Sequence, residues 1–525
     1  MKKFYFFLFA LFAISVANAQ GCLPQGITFT TQAQIDNFQT DYPGCTEIEG
    51  DVTITDYSSG AISNLNGLSV LTSIGKTLRI FRNDILMNLS GLDNLTTIGE
   101  NLDIDLNHSL TSLSGLDNLT FVGGDFGITF NNALTNLIAL NKLTSLGGYL
   151  LIDVNKALIS LSGLDNLVSI GGELRISWNP LLTSLSGLSN LTTVGNDITI
   201  EYNAALTSLT GLNNLISIGR NLNIGATETL TSLMALGNLA SIGGSLDINT
   251  NLSLTSLAGL DNLTSVGNSI SIRSTSILTS IAALDNLTSI GGGLFLAYNN
   301  SLNSLTGLDN LTSIGGNLRI GLNDALTNLT GLEGLTSIGG NLWMEQNFVL
   351  TSIAALDNLT SIGGTIRISD NSVLTSLTGL GNIAANSIEG LTIIANDSLS
   401  TCEVQSICAY LGSPNSTVEI WGNLTGCNNQ QEVIEACAHA AVESTTIGEG
   451  FSTYPNPTTG LIIISQPENS AQSHLSIINL SGQEVLQQTI TKPTTSIDIT
   501  SLPQGAYFVR IQNEKIVTVE KFIKQ

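Results

Sequence analysis

The sequence predicts a mainly β protein, in which a capped solenoid of 24-residue coils precedes a small antiparallel β-sandwich. Three observations lead to this fold class. A leucine recurs at a constant interval of 24 residues, each interval contains the alternating apolar spacing of a strand, and a different composition begins at Ser444. A constant period of this length is the signature of stacked repeats, and alternation is the signature of a half-buried strand.

The recurring leucine follows Gly or Ala in every unit. It occupies Leu68, Leu92, Leu116, Leu140, Leu164, Leu188, Leu212, Leu236, Leu260, Leu284, Leu308, Leu332, Leu356 and Leu380. In the unit 302–323, Leu318 and Ile320 alternate with polar or small residues, which is strand spacing. Two glycines at 315–316 mark the turn into that strand. The segment GLDNLTSI is too short for a full helix, so we predict a turn or a piece of 3₁₀ helix.

A polar residue follows the strand at a fixed place in every unit. It is Asn in eleven of thirteen units and Thr in two: Asn83, Asn107, Asn131, Asn155, Asn179, Asn203, Thr227, Asn251, Thr275, Asn299, Asn323, Asn347 and Asn371. We predict an inward ladder whose amides bond backbone groups that the turn leaves unpaired. A row of ligand-binding Asn side chains is the alternative.

A carboxylate recurs in the GLDNL segment of seven units. It occupies Asp93, Asp117, Asp165, Asp261, Asp285, Asp309 and Asp357. We interpret it as a turn residue that bonds its own backbone. A calcium ladder is the alternative, although one carboxylate per coil is few for a cation that takes six or more oxygens.

The pattern L-x-x-I-x-x-x-L-x-I-x-x-N is similar to a leucine-rich repeat. The segment GCTEIEGDVTI at 44–54, together with the L-x-x-I-G-G-x-L-x-I units that follow, resembles the receptor L-domain type of solenoid even more closely. This resemblance covers about 22–440 and implies a right-handed parallel β-solenoid with one strand per coil. Fourteen coils about 4.8 Å apart would make a rod about 65–70 Å long. We expect 20–60 and 396–443 to cap the solenoid of 61–395, because an open end coil presents an unpaired edge.

The ends of the solenoid carry all the cysteines, and the chain begins with an export signal. Residues 1–19 have a charged start, an apolar core and an A-x-A cleavage site, which predicts a signal peptide. The cysteines are Cys22, Cys45, Cys402, Cys408, Cys427 and Cys437. In an exported chain they predict disulfides within the two caps, whereas a zinc site would favour C-x-x-C pairs that are absent. No other apolar run is long enough to span a membrane.

The tail at 444–525 contains short strand-like runs separated by turn signals, which predicts an antiparallel β-sandwich. It closely resembles the C-terminal type A sorting domain of the type IX secretion system. The matching residues are Tyr454-Pro455-Asn456-Pro457, Gly460, Leu480-Ser481-Gly482, Leu502-Pro503, Gly505-Ala506-Tyr507 and Lys521-Phe522-Ile523-Lys524. The resemblance implies a Bacteroidota-type bacterium, recognition by the secretion machinery, and passage across the outer membrane. The mature body is then released or attached to the cell surface. An unrelated β-sandwich for binding is the alternative.

Charge and composition exclude several classes of function. The formal net charge of the 525-residue chain is -24, and only 11% of residues are charged. A nucleic-acid-binding protein would present a basic face, so we expect no nucleic-acid partner. The three histidines lie far apart in the sequence, and none has a constellation suited to nucleophilic catalysis. We therefore do not expect the protein to be an enzyme or to bind a cofactor or a metal.

A carbohydrate-active enzyme on a β-solenoid is the less favoured alternative. It would need acids clustered on neighbouring strands. Asp103, Asp105 and Asp153 come nearest, but Gly127 and Thr129 stand on the coil between them.

The outward positions of the strands carry different residues from unit to unit, whereas the inward positions carry nearly the same residues throughout. Aromatic residues and Arg, which are enriched at binding hot spots, recur there in a chain with 5% aromatic residues. The candidate ligand-binding residues are Arg175, Trp178, Tyr202, Phe295, Tyr298, Arg319, Trp343 and Arg367. We predict a secreted or surface-attached adhesion protein that recognises a protein or glycan through this face. A structural spacer or surface-layer component without a specific ligand is the alternative.

Overall fold

The structure is a computed structural model of the protein. It describes residues 20–57, 62–414, 416–444, 451–465, 473–479, 483–492, 494–512 and 517–525. The predicted signal peptide at 1–19 lies outside the described residues. The chain forms two compact units, which divide between Gln430 and Gln431. The bounds of the two predicted caps stay predictions.

The first unit is a parallel β-solenoid, as predicted. One row of strands, here called the long-strand sheet, takes one strand from each coil. Its strands are Ile27–Phe29, Val52–Thr55, Leu78–Phe81, Leu102–Asp105, Phe126–Thr129, Leu150–Asp153, Leu174–Ser177, Ile198–Glu201, Leu222–Gly225, Leu246–Asn249, Ile270–Arg273, Leu294–Ala297, Leu318–Gly321, Leu342–Glu345, Thr365–Ser369, Gly390–Ile394 and Val418–Trp421. Neighbouring strands pair in parallel, and equivalent residues of successive coils are partners, as Leu318 and Leu342 are.

A second sheet corrects the expectation of one strand per coil. Fifteen further strands, here called the short-strand sheet, also pair in parallel. They are Gln20–Cys22, Cys45–Ile48, Ser73–Ile74, Thr97–Ile98, Phe121–Val122, Ser145–Leu146, Ser169–Ile170, Thr193–Val194, Ser217–Ile218, Ser241–Ile242, Ser265–Val266, Ser289–Ile290, Ser313–Ile314, Ser337–Ile338 and Ser361–Ile362. The apolar spacing missed them because all but the first two strands are two residues long and have one inward side chain, which is too few to alternate. The handedness of the solenoid stays a prediction.

The connection at the recurring leucine takes two forms, both within the prediction. Some coils form a 3₁₀ helix that ends at this leucine: Asn66–Leu68, Ile138–Leu140, Ser186–Leu188, Met234–Leu236, Ala282–Leu284 and Ala354–Leu356. A further 3₁₀ helix, Ala385–Ser387, follows Leu380. The α-helices lie outside this connection, at Gln32–Asp36, Phe38–Asp41, Gln405–Leu411 and Gln430–Ser444. Other coils turn at a glycine with positive φ, such as Gly91 at 111°. There the Asp93 carboxylate accepts the Gly91 N–H at 2.7 Å. Asp117, Asp165, Asp261 and Asp309 make the same bond, which confirms the predicted role for these five residues. Asp285 and Asp357 follow 3₁₀ helices, and their carboxylates accept from Asn310 and Asn382 of the next coil.

The inward apolar residues form one continuous core. In the unit 302–323, the seven apolar side chains are 0–1% exposed: Leu302, Leu305, Leu308, Leu311, Ile314, Leu318 and Ile320. The same positions are buried in the neighbouring coils. Each coil therefore buries its apolar face only by stacking on its neighbours, as expected for a repeat architecture.

The predicted inward ladder of Asn side chains is confirmed. The side chain of Asn323 is fully buried, and its Nδ2 donates to the carbonyl oxygens of Leu296 and Gly321, both at 3.0 Å. Its Oδ1 accepts the N–H of Asn299 at 3.2 Å. One side chain thus bonds backbone groups on its own coil and on the preceding coil, and it supplies the acceptor for the buried N–H of Asn299.

The ladder continues through a change of register near the C-terminal end of the solenoid. Ile366 pairs with Leu391, one residue more than the usual interval. The Oδ1 of Asn396 nevertheless accepts the N–H of Asn371 at 3.0 Å. Asn423, which the repeat did not identify, accepts from Asn396 in the same way at 2.9 Å.

We expect Thr227→Asn to stabilise the solenoid by about 1–2 kcal/mol. The Thr227 hydroxyl is buried and donates to the Gly225 carbonyl oxygen at 3.1 Å. An Asn there would add a second donor, directed at the Ile200 carbonyl, and an acceptor for the N–H of Asn203. Chemical denaturation checks the gain, with exposed Thr312→Asn as the control. An unchanged or lowered midpoint would contradict the ladder's energetic role.

The second unit contains two antiparallel sheets. Ser452–Tyr454, Leu461–Ser465 and Thr494–Asp498 form the three-stranded sheet, with Leu461–Ser465 in the centre. Glu484–Ile490, Ser473–Asn479, Gly505–Gln512 and Val517–Lys524 form the four-stranded sheet in that spatial order. Buried residues of both sheets, among them Ile462 and Phe522, share one core. This arrangement agrees with the predicted antiparallel sandwich.

The predicted disulfides hold the ends of the solenoid. Cys22 bonds Cys45, and Cys402 bonds Cys427. Cys408 and Cys437 are also disulfide-bonded. Within the described ranges, we find no helix long and apolar enough to cross a membrane.

Candidate ligand-binding face

From Leu78–Phe81 to Gly390–Ile394, the residue that follows each long strand forms a left-handed corner of the coil. None of these fourteen residues is Gly or Asn: Arg82, Leu106, Phe130, Val154, Trp178, Tyr202, Ala226, Thr250, Ser274, Tyr298, Leu322, Gln346, Asp370 and Ala395, with φ from 46° to 60°. The last long strand, Val418–Trp421, is followed by Gly422 with φ of 69°. Non-glycine residues rarely adopt this conformation, so the sequence did not reveal it. Hydrogen bonds between coils stabilise this conformation, because the corner N–H of one coil donates to a carbonyl oxygen of the next coil. The Trp178 N–H, for example, donates to the Glu201 carbonyl at 3.2 Å.

Two candidate residues, Trp178 and Tyr202, meet at adjacent corners, and Arg175 lies on the strand that precedes the first corner. These three residues are here called the Trp178 cluster. The Trp178 and Tyr202 rings stack with centroids 4.1 Å apart and an interplanar angle of 10°, and they remain 51% and 44% exposed. Arg175, on the same coil as Trp178, donates from Nε to the Ser177 hydroxyl at 3.1 Å. The cluster presents a half-exposed aromatic pair and, on the same coil as Trp178, a guanidinium group.

Four other candidates form a continuous row on four successive coils, here called the aromatic–arginine row. Phe295 pairs with Arg319, Arg319 with Trp343, and Trp343 with Arg367. Tyr298 lies at the corner of the Phe295 coil and is 51% exposed. Five coil intervals separate Trp178 from Tyr298, or about 24 Å. The eight candidates therefore occupy two patches of one face.

Glu345, which sequence reasoning missed, joins the two arginines of the row. Its Oε1 lies 2.6 Å from Nη2 of Arg319, and its Oε2 lies 3.9 Å from Nε of Arg367. Glu345 occupies the second outward position of the strand, which the repeat analysis did not compare between coils. Sequence reasoning missed a second contact for the same reason. The guanidinium group of Arg79 lies 4.6 Å from the ring centroid of Phe81, which also occupies a second outward position.

Two of the three acids that came nearest to a catalytic cluster, Asp103 and Asp105, border a groove of about 160 Å³. The groove lies at Gly127, which has no side chain to fill the space between its neighbours. Its lining residues are Arg79, Asp103, Asp105, Gly127, Thr129, Tyr149 and Leu151. The Thr129 hydroxyl donates to Asp105 Oδ1 at 2.6 Å. Asp153 does not line the groove, and no group of metal-ligating side chains occurs among the described residues.

The electrostatics of the groove favour a protonated Asp103. Burial raises the pKa of Asp103 above its usual value, the charges of Asp105 and Asp125 add to this effect, and Arg79 opposes it. Burial also raises the pKa of Asp153, which Arg175 and a backbone hydrogen bond oppose.

We expect Asp103→Asn to raise the thermal midpoint at neutral pH. Because the folded-state pKa of Asp103 is raised, the folded state binds more protons than the unfolded state in the window just above pH 3.8. Stability of the original protein therefore falls as pH rises through that window. The variant's advantage should shrink on acidification. Melting curves from neutral to acidic pH check this, and an advantage independent of pH would contradict the assignment.

The motif residues of the tail meet although they come from opposite ends of the second unit. Asn456 Nδ2 donates to the Lys521 carbonyl oxygen, and its Oδ1 accepts the Ile523 N–H, both at 2.9 Å. The Tyr507 hydroxyl donates to the Pro503 carbonyl at 2.9 Å. Two motif segments are thus structural clamps for the terminal strand and the preceding turn. The motif at 480–482 lies outside the described residues.

Residues 452–525 match the family model of the secretion system C-terminal sorting domain. This match confirms the predicted tail and indicates secretion across the outer membrane, to the cell surface or the extracellular space. It also implies interaction with the type IX secretion machinery. No curated protein matches the chain significantly. The resemblance of the repeats to leucine-rich-repeat and receptor L-domain families has no family match behind it and stays a prediction.

Proposed function

We propose that this secreted or surface-attached protein is a non-enzymatic binding protein, which recognises a protein or glycan through the outward face of the long-strand sheet. One observation carries the proposal. The Trp178 and Tyr202 rings stack on each other at the surface and remain about half exposed. Exposed, rigid aromatic side chains are a common source of binding energy at interfaces.

The roles of the repeated surface residues support this proposal by contrast. Asn358 Nδ2 donates to the Glu333 carbonyl of the preceding coil at 2.7 Å. The hydroxyl of Thr312 donates to the Thr288 carbonyl at 3.0 Å. Hydrogen bonds between stacked coils thus account for the polar residues that repeat on the surface. Such hydrogen bonds do not account for the aromatic residues that occur on only some coils.

The chemistry of the face supports binding rather than catalysis. Its side chains offer stacking surfaces and guanidinium groups, and the Glu345 carboxylate is already paired with Arg319 and Arg367. The groove at Gly127 holds one carboxylic acid whose pKa burial raises, Asp103, and its other charged groups are Asp105 and Arg79. Polar hydrogen bonding to a ligand is the role that these groups serve best.

A binding screen of the full chain against glycan and extracellular-protein arrays tests the proposal. We expect a saturable ligand whose affinity falls at least about tenfold in Trp178→Ala/Trp343→Ala. The matched control is Ile138→Ala/Met234→Ala, which removes two apolar side chains that are 57% and 64% exposed on the 3₁₀ side of the coils. No ligand, or a ligand indifferent to both Trp residues, would favour the structural-spacer alternative.

A further inference from the structure

The aromatic–arginine row has a periodicity that narrows the class of ligand. Aromatic and guanidinium side chains alternate from coil to coil at Phe295, Arg319, Trp343 and Arg367, and each is the register partner of the next. Since parallel strands lie about 4.8 Å apart, the two rings recur at about 9.6 Å, and so do the two guanidinium groups. A ligand that contacts all four side chains must be extended along the solenoid axis and must itself alternate.

An extended chain of pyranose sugars has the required repeat, because each ring advances the chain by about one coil spacing. The apolar face of a sugar ring packs on an aromatic side chain, while a guanidinium group pairs with a carboxylate through two parallel hydrogen bonds. We infer that the row binds a linear polysaccharide in which neutral and carboxylate-bearing sugars alternate, with one ring above each coil. This inference rests on the proposed function and specifies its ligand class.

The charges of the row fit an anionic ligand. Two arginines surround one carboxylate, so the row has an excess of positive charge in a chain whose net charge is -24. The Arg319 and Arg367 side chains are 38% and 44% exposed, whereas Glu345 is 20% exposed. The carboxylate thus lies deeper and orients guanidinium groups that still face solvent. Such preorganisation lowers the entropic cost of binding.

Small residues lie beside the first half of the row. Ala297 and Gly321 are the register-paired residues that precede Glu345 in the second outward position of their strands. Neither has a side chain larger than a methyl group, and both are buried. The Glu345 side chain reaches over Gly321, where an added Cβ atom would lie 3.1 Å from Glu345 Cγ. A sugar chain at this coil therefore rests on the Arg319–Glu345 pair and not on the sheet itself.

Three oligosaccharides distinguish the charge pattern of the ligand. The probes are hyaluronan oligosaccharides, in which uronate and neutral rings alternate, oligogalacturonate, in which every ring is charged, and chitin oligosaccharides, in which every ring is neutral. We expect the full chain to bind hyaluronan oligosaccharides at least about tenfold more tightly than either comparison probe in calorimetric titration. Affinity should rise with length up to about four rings, one per coil of the row, and then level off.

Substitutions test the assigned contacts. Trp343→Ala should lower hyaluronan affinity at least about tenfold, while Trp343→Phe should retain most of it. Arg319→Gln/Arg367→Gln should abolish the preference over chitin oligosaccharides. Glu345→Gln should lower hyaluronan affinity and leave chitin binding unchanged, because the carboxylate no longer orients Arg319 and Arg367. Met234→Ala is the matched surface control, and melting curves establish that each variant is folded.

Two outcomes separate this inference from the proposed function. No preference for hyaluronan, combined with an array ligand that is lost in Trp178→Ala/Trp343→Ala, would overturn the alternating-polysaccharide assignment alone. Absence of every saturable ligand would overturn both. A hyaluronan preference that survives Arg319→Gln/Arg367→Gln would also overturn the assignment of the row.

Discussion

Gly219→Ala is expected to destabilise the solenoid by about 3 kcal/mol or more, although Gly219 lies at the surface. A Cβ atom at this position would lie 1.8 Å from the carbonyl oxygen of Gly195 and 2.7 Å from its carbonyl carbon. Both contacts are with backbone of the preceding coil, which cannot rotate away as a side chain could. The Gly219 N–H also donates to the Val194 carbonyl at 3.0 Å, so the coils must separate locally to accept the methyl group.

The matched control is Gly381→Ala, on the same solenoid. A Cβ atom at Gly381 would meet nothing within 4 Å, so we expect a change within about 0.5 kcal/mol. Chemical denaturation of both variants, with hydrogen exchange at the coils around residue 219, measures the difference. Equal stabilities of the two variants would show that the close approach of the coils does not limit the fold.

Asn323→Leu is expected to cost about 3–4 kcal/mol, because it leaves buried backbone groups without partners. The change keeps the number and branching of the side-chain heavy atoms, so a cavity is not the cause of the loss. The carbonyl oxygen of Leu296 loses its donor at 3.0 Å, and the N–H of Asn299 loses its acceptor at 3.2 Å. Both groups lie in the interior, where water cannot replace the amide.

Asn358→Leu provides the comparison for this substitution. Asn358 makes the same kind of bond to a preceding coil, at 2.7 Å to the Glu333 carbonyl, but in an exposed position. Water can replace that bond, so we expect a loss below about 1 kcal/mol. Denaturant midpoints with unfolding slopes measure both variants, and a similar loss for the two would contradict the assignment of the buried ladder.

Much of the fold follows from the spacing of apolar residues. Leu318 and Ile320 predicted a strand correctly, because an extended strand turns successive side chains to opposite faces. The short-strand sheet was not predicted, since a two-residue strand such as Ser313–Ile314 carries one inward residue. Its hydrogen bonds depend on the neighbouring coils, and no local pattern encodes them.

The sorting domain was predicted from sequence for a different reason. Its motif residues are clustered in order along the chain and match the family model at 452–525. Their physical purpose became clear only in the folded unit, where Asn456 reaches the backbone of Lys521 and Ile523. A bond between residues so far apart in the chain has no signature in the local sequence.

For the candidate ligand-binding face as well, some features follow from the sequence and others only from the fold. Periodicity and residue type are local properties, so the coil, its core and the outward residues that vary follow from the sequence. The stacking of Trp178 on Tyr202 and the pairing of Glu345 with two arginines appear only in the folded protein. So does the left-handed corner of residues such as Trp178, with φ of 57°. These features arise from contacts between coils, where the packing and hydrogen bonds of neighbours outweigh the conformational preference of a single residue.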